Sequence, residues 1–446
     1  MLIEGYREGD TIAGEATPPG RGGISVIRVS GEDAHVVVSA LFDRELPQAG
    51  EFKLGNLHRL DLPDEILDHI IVSFYKAPNS YTGEDVFELS LHGNPILVSQ
   101  ALAELYKAGA RSPQAGEFTF RAFINGKLDL TQAEAVADLI AAGSEQSAEA
   151  AIQRLDGSLK DMADKISNQL LALLSLYEIE LDFAEENVAI TTSSESEHAT
   201  GSITQSLQQM LSGYKHNRSL REGVQVAVVG PPNVGKSSLF NRLINQQKAI
   251  THHLPGTTRD AVDASCFIEG IQFRIFDTAG IRTTADEVET VGVELAHQIS
   301  AECELIIEVS SVDISQKYDY IFSHGQTVIK VMNKIDLSMG APIDSRLGVS
   351  AKYGSGFDEL RNLMYQSAVD DETVSQRTVA SERQFHLTEN ALSAVEDARK
   401  CIMIGSPPEI IAEELRNALA YMDEMTGKRK LDTILENIFS KFCIGK

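Results

Sequence analysis

The run VQVAVVG has the composition of a buried parallel strand. It passes straight into Gly230-Pro231-Pro232-Asn233-Val234-Gly235-Lys236-Ser237, after which SLFNRLI reads as helix. No other stretch narrows the fold as much. GxxxxGK[ST] between a strand and a helix is the P-loop pattern. Backbone N–H groups of the loop and helix N-terminus cradle phosphates, a lysine adds a point charge, and a hydroxyl ligates Mg²⁺. Asn233, Val234, Gly235, Lys236, Ser237 and Ser238 are therefore expected at phosphates, with Ser237 on the metal.

The segments that follow keep the order such a site needs. LPGTTRD supplies Thr257 and Thr258, the latter a hydroxyl that can complete a Mg²⁺ shell and sense a γ-phosphate. FRIFDTAG is a strand ending in Asp277, placed to hold the metal through water. Thr278, Ala279 and Gly280 follow, Gly280 offering an N–H to the γ-phosphate. VIKVMNKID ends in Asn333, Lys334 and Asp336. An acceptor-only carboxylate at Asp336 suits the two adjacent donors on guanine's Watson–Crick edge, which adenine lacks. In GVSAKYGSG, Ser350, Ala351 and Lys352 back the base. Five motifs in register predict a GTP site.

Hydrolysis needs an oriented water. The glutamine that does this in Ras-like proteins is replaced by Ile281, which orients nothing. Asn233 can direct its side-chain oxygen to a monovalent cation near the phosphates, provided backbone carbonyls of THHLP complete the shell. Glu289, in ADEVETVGVE, is either a solvated helix carboxylate or the group that orients water through a second water.

Around this block the pattern changes. Residues 1–118 alternate short strands (GISVIRVSG, HIIVSFYKA, DVFELSLHG) with turns and close on a helix from Pro95 to Lys107, an α+β domain. Ile152, Leu155, Leu159, Met162, Ile166, Leu170, Leu173 and Tyr177 form one apolar stripe, expected along a single long helix. ENVAITTSSESEHATGS reads as a loop, with another helix to about Tyr214. Beyond Gln376 the chain is helical again, so helices flank an α/β block. The expected organisation is an α+β domain (1–118), a helical domain in two parts (119–220 and 377–446), and an inserted α/β nucleotide domain (221–376).

At 446 residues there is length for several cores. A charged N-terminus and the absence of a long apolar run point to a cytoplasmic protein with no membrane span, and four separated cysteines to no disulfide or zinc framework. A net charge of −26 argues against broad nucleic-acid binding but leaves room for a local patch. Lys215, Arg218 and Arg221, or Lys428, Arg429 and Lys430, are either that patch or solvated surface.

ATPPGRGG, PNSYTGEDVFEL, GEFTFRAFINGKLDLTQAEAVADLI, PGTTRD, DTAGIR and the terminal FCIGK together resemble the tRNA-modification GTPase family MnmE, also called TrmE, over the whole chain. The resemblance implies a multidomain fold: an N-terminal folate-binding domain that forms a homodimer, a helical domain, and an inserted Ras-like G domain. It implies a K⁺-activated GTPase that works with the flavoprotein MnmG in a heterotetramer. The complex modifies C5 of the wobble uridine of certain tRNAs with a tetrahydrofolate one-carbon unit. It assigns K⁺ to Asn233, the carbonyls of His252 and Leu254, and Thr257; Mg²⁺ to Ser237 and Thr258; and water orientation to Glu289. Folate falls to Arg28, Glu88, Lys127 and Lys446. Cys443 keeps two readings, a space-filler beside the last helix's apolar stripe or a nucleophile toward uridine C6. Two rivals are a ribosome-assembly GTPase, which would carry a basic RNA-binding domain, and a GTP-gated folate-binding module without chemistry of its own.

Overall fold

A computed structural model describes residues 6, 7, 9–182, 193–245, 263–277, 303–314, 326–337, 346–369, 379–429, 435, 438–440, 442 and 445. The chain divides into two compact units, one of Met1–Ala137, Arg154–Thr200 and Ser393–Lys446, the other of Asp138–Gln153 and Gly201–Leu392.

The first unit opens with a five-stranded antiparallel sheet. Its strands are β1 (Ile12–Glu15), β2 (Ile24–Ser30), β3 (Phe52–His58), β4 (Ile66–Tyr75) and β5 (Val86–His92), in the order β1-β2-β5-β4-β3. Alternation makes the sheet one-sided. In β4, Ile70, Val72 and Phe74 are buried while His69, Ile71 and Tyr75 are exposed. The buried face packs on α1 (Ala34–Ser39) and α2 (Pro95–Lys107) through Val37, Val38, Val98, Ala101 and Leu105. Helix α2 has the bounds expected of it. Pro95 stands at its first position, and the Asn94 side chain accepts the Ile96 N–H at 2.9 Å.

The helices that follow are α3 (Glu117–Ile124), α4 (Leu130–Ala141), α5 (Glu145–Leu155), α6 (Ser158–Asp182) and α7 (Ser193–Leu211). Two expectations are corrected here. The apolar stripe does not lie on one helix, because Gly157, at φ +94°, turns the chain between α5 and α6. Leu159, Ile166, Leu170, Leu173 and Tyr177 of α6 are buried as a stripe, whereas Ile152 of α5 is exposed. The Ser/Thr-rich run is not all loop either: from Ser193 it is helical. Its hydroxyls are satisfied locally, Thr200 Oγ1 donating to the Ser196 carbonyl at 2.8 Å and Tyr177 OH to Ser196 Oγ at 2.9 Å. Ser196, Thr200, Ile203, Leu207 and Met210 are buried at helical spacing, and that packing outweighs weak propensity. Residues 183–192 lie outside the described set.

The second unit carries α8 (Tyr214–Glu222), β6 (Val224–Val229), α9 (Lys236–Asn245), β7 (Asp263–Ile268), β8 (Ile271–Asp277), β9 (Leu305–Ser311), β10 (Thr327–Asn333), β11 (Leu347–Gly348) and α10 (Phe357–Ala368). Its six strands run in the order β11-β10-β9-β6-β8-β7, all neighbours parallel except β7 against β8. Val224, Val226, Ala227, Val228 and Val229 are buried, as a strand inside a parallel sheet requires. From β6 the chain adds β7 and β8 on one side, then β9, β10 and β11 on the other. The carboxyl end of β6 is thus the point where the winding reverses.

α11 (Glu382–Met403) straddles the division between the units, and α12 (Pro408–Thr426) packs along α6, with Arg416–Glu178 and Lys428–Asp164 ion pairs. Among the described residues no helix is long and apolar enough to cross a membrane.

Candidate functional site

The P-loop leaves β6 at the winding reversal, where open α/β sheets bind ligands. Gly230 (φ +155°) passes so near β9 that a Cβ there would stand 2.2 Å from the Val309 carbonyl oxygen. Gly235 (φ +95°) leaves no room for a Cβ, which would stand 2.4 Å from Asn333 Nδ2. Lys236, Ser237 and Ser238 form the first turn of α9, where the N-terminal N–H groups and the helix dipole favour an anion. The Lys236 ammonium donates to the Gly230 and Pro231 carbonyls at 2.8 and 2.9 Å. β8 pairs Asp277 with Val228 of β6, so the backbone of Asp277 ends one strand from the loop.

Asn333 joins three of the motifs. Buried at the end of β10, it donates from Nδ2 to the Val234 carbonyl at 2.9 Å and accepts the Ala351 N–H on Oδ1 at 3.0 Å. Lys334, at φ +61°, reaches the Asn233 carbonyl at 2.8 Å and Asp313 Oδ2 at 2.8 Å. That ammonium holds the Asp313 carboxyl below its usual range. Ser350 Oγ donates to Asp336 Oδ1 at 2.6 Å, which orients the carboxylate expected to read a base. From α9, Arg242 donates to the Lys352 and Tyr353 carbonyls at 3.3 and 3.2 Å. The P-loop, the end of β10 and the SAK loop are thereby fastened to one another. His252, Leu254, Thr257, Thr258, Thr278, Ala279, Gly280, Glu289 and the Asp277 side chain lie outside the described residues.

A second cluster lies in the first unit. Arg28 of β2 and Glu88 of β5 are cross-strand neighbours, and Arg28 Nε and Nη2 both donate to Glu88 Oε1, at 3.0 and 2.7 Å. The guanidinium sits 4.9 Å from the centroid of the Tyr81 ring and 5.6 Å from that of Phe118. Its Nη1 is buried without a partner. Tyr81 OH bonds Thr119 Oγ1 at 2.8 Å, and burial pushes its phenol pKa up. Lys127 Nζ donates to the Pro78 carbonyl at 2.9 Å, with its stem beside Gly83, so Lys127 and Tyr81 share the segment from Pro78 to Gly83. Gly445 lies against Glu15 at the end of β1. Cys443 and Lys446 are outside the described residues, whereas Phe442 is buried with Phe439 and Phe120.

Sequence reasoning missed Asp313, Tyr81 and Phe118, and it missed the ionic network beneath the second cluster. Arg121 is 1% exposed and bonds Asp10 (2.5 Å), Glu84 (3.1 Å) and the fully buried Glu117 (2.9 Å). Arg111 pairs with Asp10 and Glu117 as well. Among the described residues of the two basic runs, three are paired with carboxylates. Arg218 pairs with Glu222 and Glu304, Arg221 with Asp138 and Glu222, and Lys428 with Asp164. Lys430 and the Lys215 side chain are outside the described set.

The family model "MnmE helical domain" matches residues 130–443, and "GTP-binding protein TrmE N-terminus" matches residues 11–127. The "tRNA modification GTPase MnmE" of Aquifex aeolicus is 38% identical, covering 98% of this chain and 100% of its own length. The same-named proteins of Thermotoga maritima and Koribacter versatilis are 37% and 36% identical, again over 98% of this chain and over 100% and 99% of theirs. Among solved structures, Era of Aquifex aeolicus matches 41% of this chain and 67% of its own at 25% identity, with a TM-score of 0.27. The family-model and full-length matches agree: the chain belongs to the MnmE (TrmE) family.

Proposed function

We propose that the chain is a GTP hydrolase acting in tRNA modification. The observation that carries the reading is Asn333, whose one side chain bonds both the P-loop and the SAK loop and so gathers the phosphate and base ends of a guanine-nucleotide site. Relatives that are named tRNA modification GTPases and match end to end support the same role.

Asn233 to Ser238 and Asp277 to Gly280 bind the phosphates in this reading, and Asn333, Lys334, Asp336 and Ser350 to Lys352 bind the base. Ser237 fits a hard cation: it is an exposed hydroxyl in the first turn of α9, beside the strand that ends in Asp277. With Thr258 it would hold Mg²⁺, which neutralises phosphate charge when bound. Asn233, His252, Leu254 and Thr257 would hold K⁺, and Glu289 would orient the attacking water in place of the glutamine that Ile281 replaces. The boundaries 1–118, 119–220, 221–376 and 377–446 are retained as the domain division.

In the N-terminal domain, Arg28, Glu88, Lys127 and Lys446 would hold a tetrahydrofolate derivative. The unpartnered Nη1 of Arg28 supports this, since a buried guanidinium N–H calls for an acceptor, and Glu88 Oε2 is left for a pterin donor. A homodimer partnered by the flavoprotein MnmG and acting on tRNA in the cytoplasm completes the proposal, with Cys443 as a candidate nucleophile.

Hydrolysis of GTP by the purified chain in KCl and in NaCl at equal ionic strength tests it. The expected result is marked stimulation by K⁺ that Asn233→Ala abolishes. Equal slow rates in both salts would remove the cation-assisted site. Absence of any GTP turnover or binding would remove the nucleotide reading itself.

A further inference from the structure

The nucleotide site has a part that no motif names. Lys334 carries three N–H donors on a flexible four-carbon stem, so what fixes it must come from its acceptors. One is the carbonyl of Asn233 in the P-loop, and the other is Asp313, each at 2.8 Å. Asn233 and Lys334 both hold left-handed backbones, φ 64° and 61°. Residues with a Cβ keep that conformation where their surroundings enforce it.

Asp313 reaches this position through the sheet. β9 and β10 run parallel with Ser311 opposite Asn333. Beyond Ser311 the chain turns tightly, the Val312 N–H donating to the Asn333 carbonyl and the Ile314 N–H to the Ser311 carbonyl, each at 3.3 Å. That turn sets Asp313 beside the residue following β10. As a contribution to stability the pair counts for little, since both partners are partly exposed, Lys334 by 28% and Asp313 by 41%. Its consequence is positional.

Resting on the guanine-nucleotide reading above, we infer that Asp313 is a positioning residue for nucleotide binding. By holding the Lys334 ammonium against the Asn233 carbonyl, it locks the P-loop to the base-reading strand. It acts through Lys334 rather than on the nucleotide.

The test is a double-mutant cycle on the full chain. It uses a fluorescent GDP analogue in Mg²⁺ buffer, with thermal unfolding and steady-state GTP hydrolysis measured on the same proteins. Asp313→Ala is expected to weaken GDP binding about three- to fivefold, the most that a partly exposed ion pair lends to positioning. KM for GTP should rise with kcat nearly kept, and the melting temperature should not move. Asp313→Glu should recover most of the affinity. Lys334→Ala should cost more, and adding Asp313→Ala to it should cost nothing further. Unchanged affinity in Asp313→Ala, or losses that multiply in the double variant, would overturn the inference alone. Failure of the unaltered chain to bind the GDP analogue would overturn it together with the guanine-site reading.

Discussion

Gly235 is the residue at which local geometry and function are hardest to separate. Its φ of +95° suits a residue without a Cβ, and the place a methyl group would take is 2.4 Å from Asn333 Nδ2. In Gly235→Ala the amide must withdraw from the Val234 carbonyl, so the P-loop and the base strand part. The strain is about 1–3 kcal/mol, small beside whole-chain stability. Circular dichroism should therefore show a folded protein, while titration with a GDP analogue should show affinity reduced by about tenfold or more. At this scale the sequence was most legible. Glycines and the lysine of a P-loop encode backbone shape directly, and Asn333, Lys334 and Asp336 sit where a strand ends. Asp313 was not legible, because its place depends on the register of β9 with β10, two strands separated in sequence. The unpartnered Nη1 of Arg28 was equally hidden, since only burial reveals an unmet donor.

Among the elements, α3 is the most heavily committed. Its first residue, Glu117, is buried against two arginines, Arg121 ties it to Asp10 and to Glu84 in the loop before β5, and Phe118 lies by the Arg28 guanidinium. Removing one partner from such a network strands the others in low dielectric, at a cost of about 3–5 kcal/mol. Arg121→Ala is expected to lower the denaturant midpoint of the first unit accordingly, and Arg121→Lys to recover only part of it, because a single ammonium cannot reproduce the guanidinium's fork. Urea unfolding followed by far-ultraviolet circular dichroism reads both. Helix α3 was visible in the sequence only inside a family motif, since GEFTFRAF has no polar face to betray helical spacing. The error over α7 has the opposite cause. Ser and Thr read locally as loop formers, yet burial against Tyr177 and bonds to carbonyls one turn back make them helical. The stripe was wrongly run along one helix and wrongly included the exposed Ile152, since apolar spacing alone does not register the left-handed Gly157. Leu155, by contrast, packs against the Phe120 and Phe439 cluster, and Leu159, Ile166, Leu170, Leu173 and Tyr177 are buried.

For the molecule as a whole, the alternation of apolar and polar runs was enough to announce an α/β block between helical stretches. Strand order was not readable, because which strand neighbours which depends on non-local pairing. The acidic balance was informative in the same coarse way: Arg218, Arg221 and Lys428, from the two basic runs, are engaged by carboxylates. Long-range closure shows best at Gly445. Its φ is +127°, and a Cβ there would stand 1.9 Å from the Glu15 carbonyl oxygen, so Gly445→Ala must push the last residues away from β1. Because Gly14, the preceding residue of β1, pairs with Arg28, the folate site proposed above predicts that this substitution weakens binding of a tetrahydrofolate derivative severalfold in calorimetric titration. An unchanged affinity would separate the tail from that cluster.

The seat of Gly445 against β1 also has a consequence in time. A ribosome makes β1 long before the segment around Gly445, which follows the bulk of both units in the chain. Domains generally fold as they are synthesised. The sheet bearing Arg28 can therefore collapse early, but the end of β1 at Glu15 lacks its Gly445 neighbour until translation has passed that residue. A chain cut short before that point would carry the whole P-loop segment but lack the contact at the end of β1, and quality-control proteases would meet it in that state.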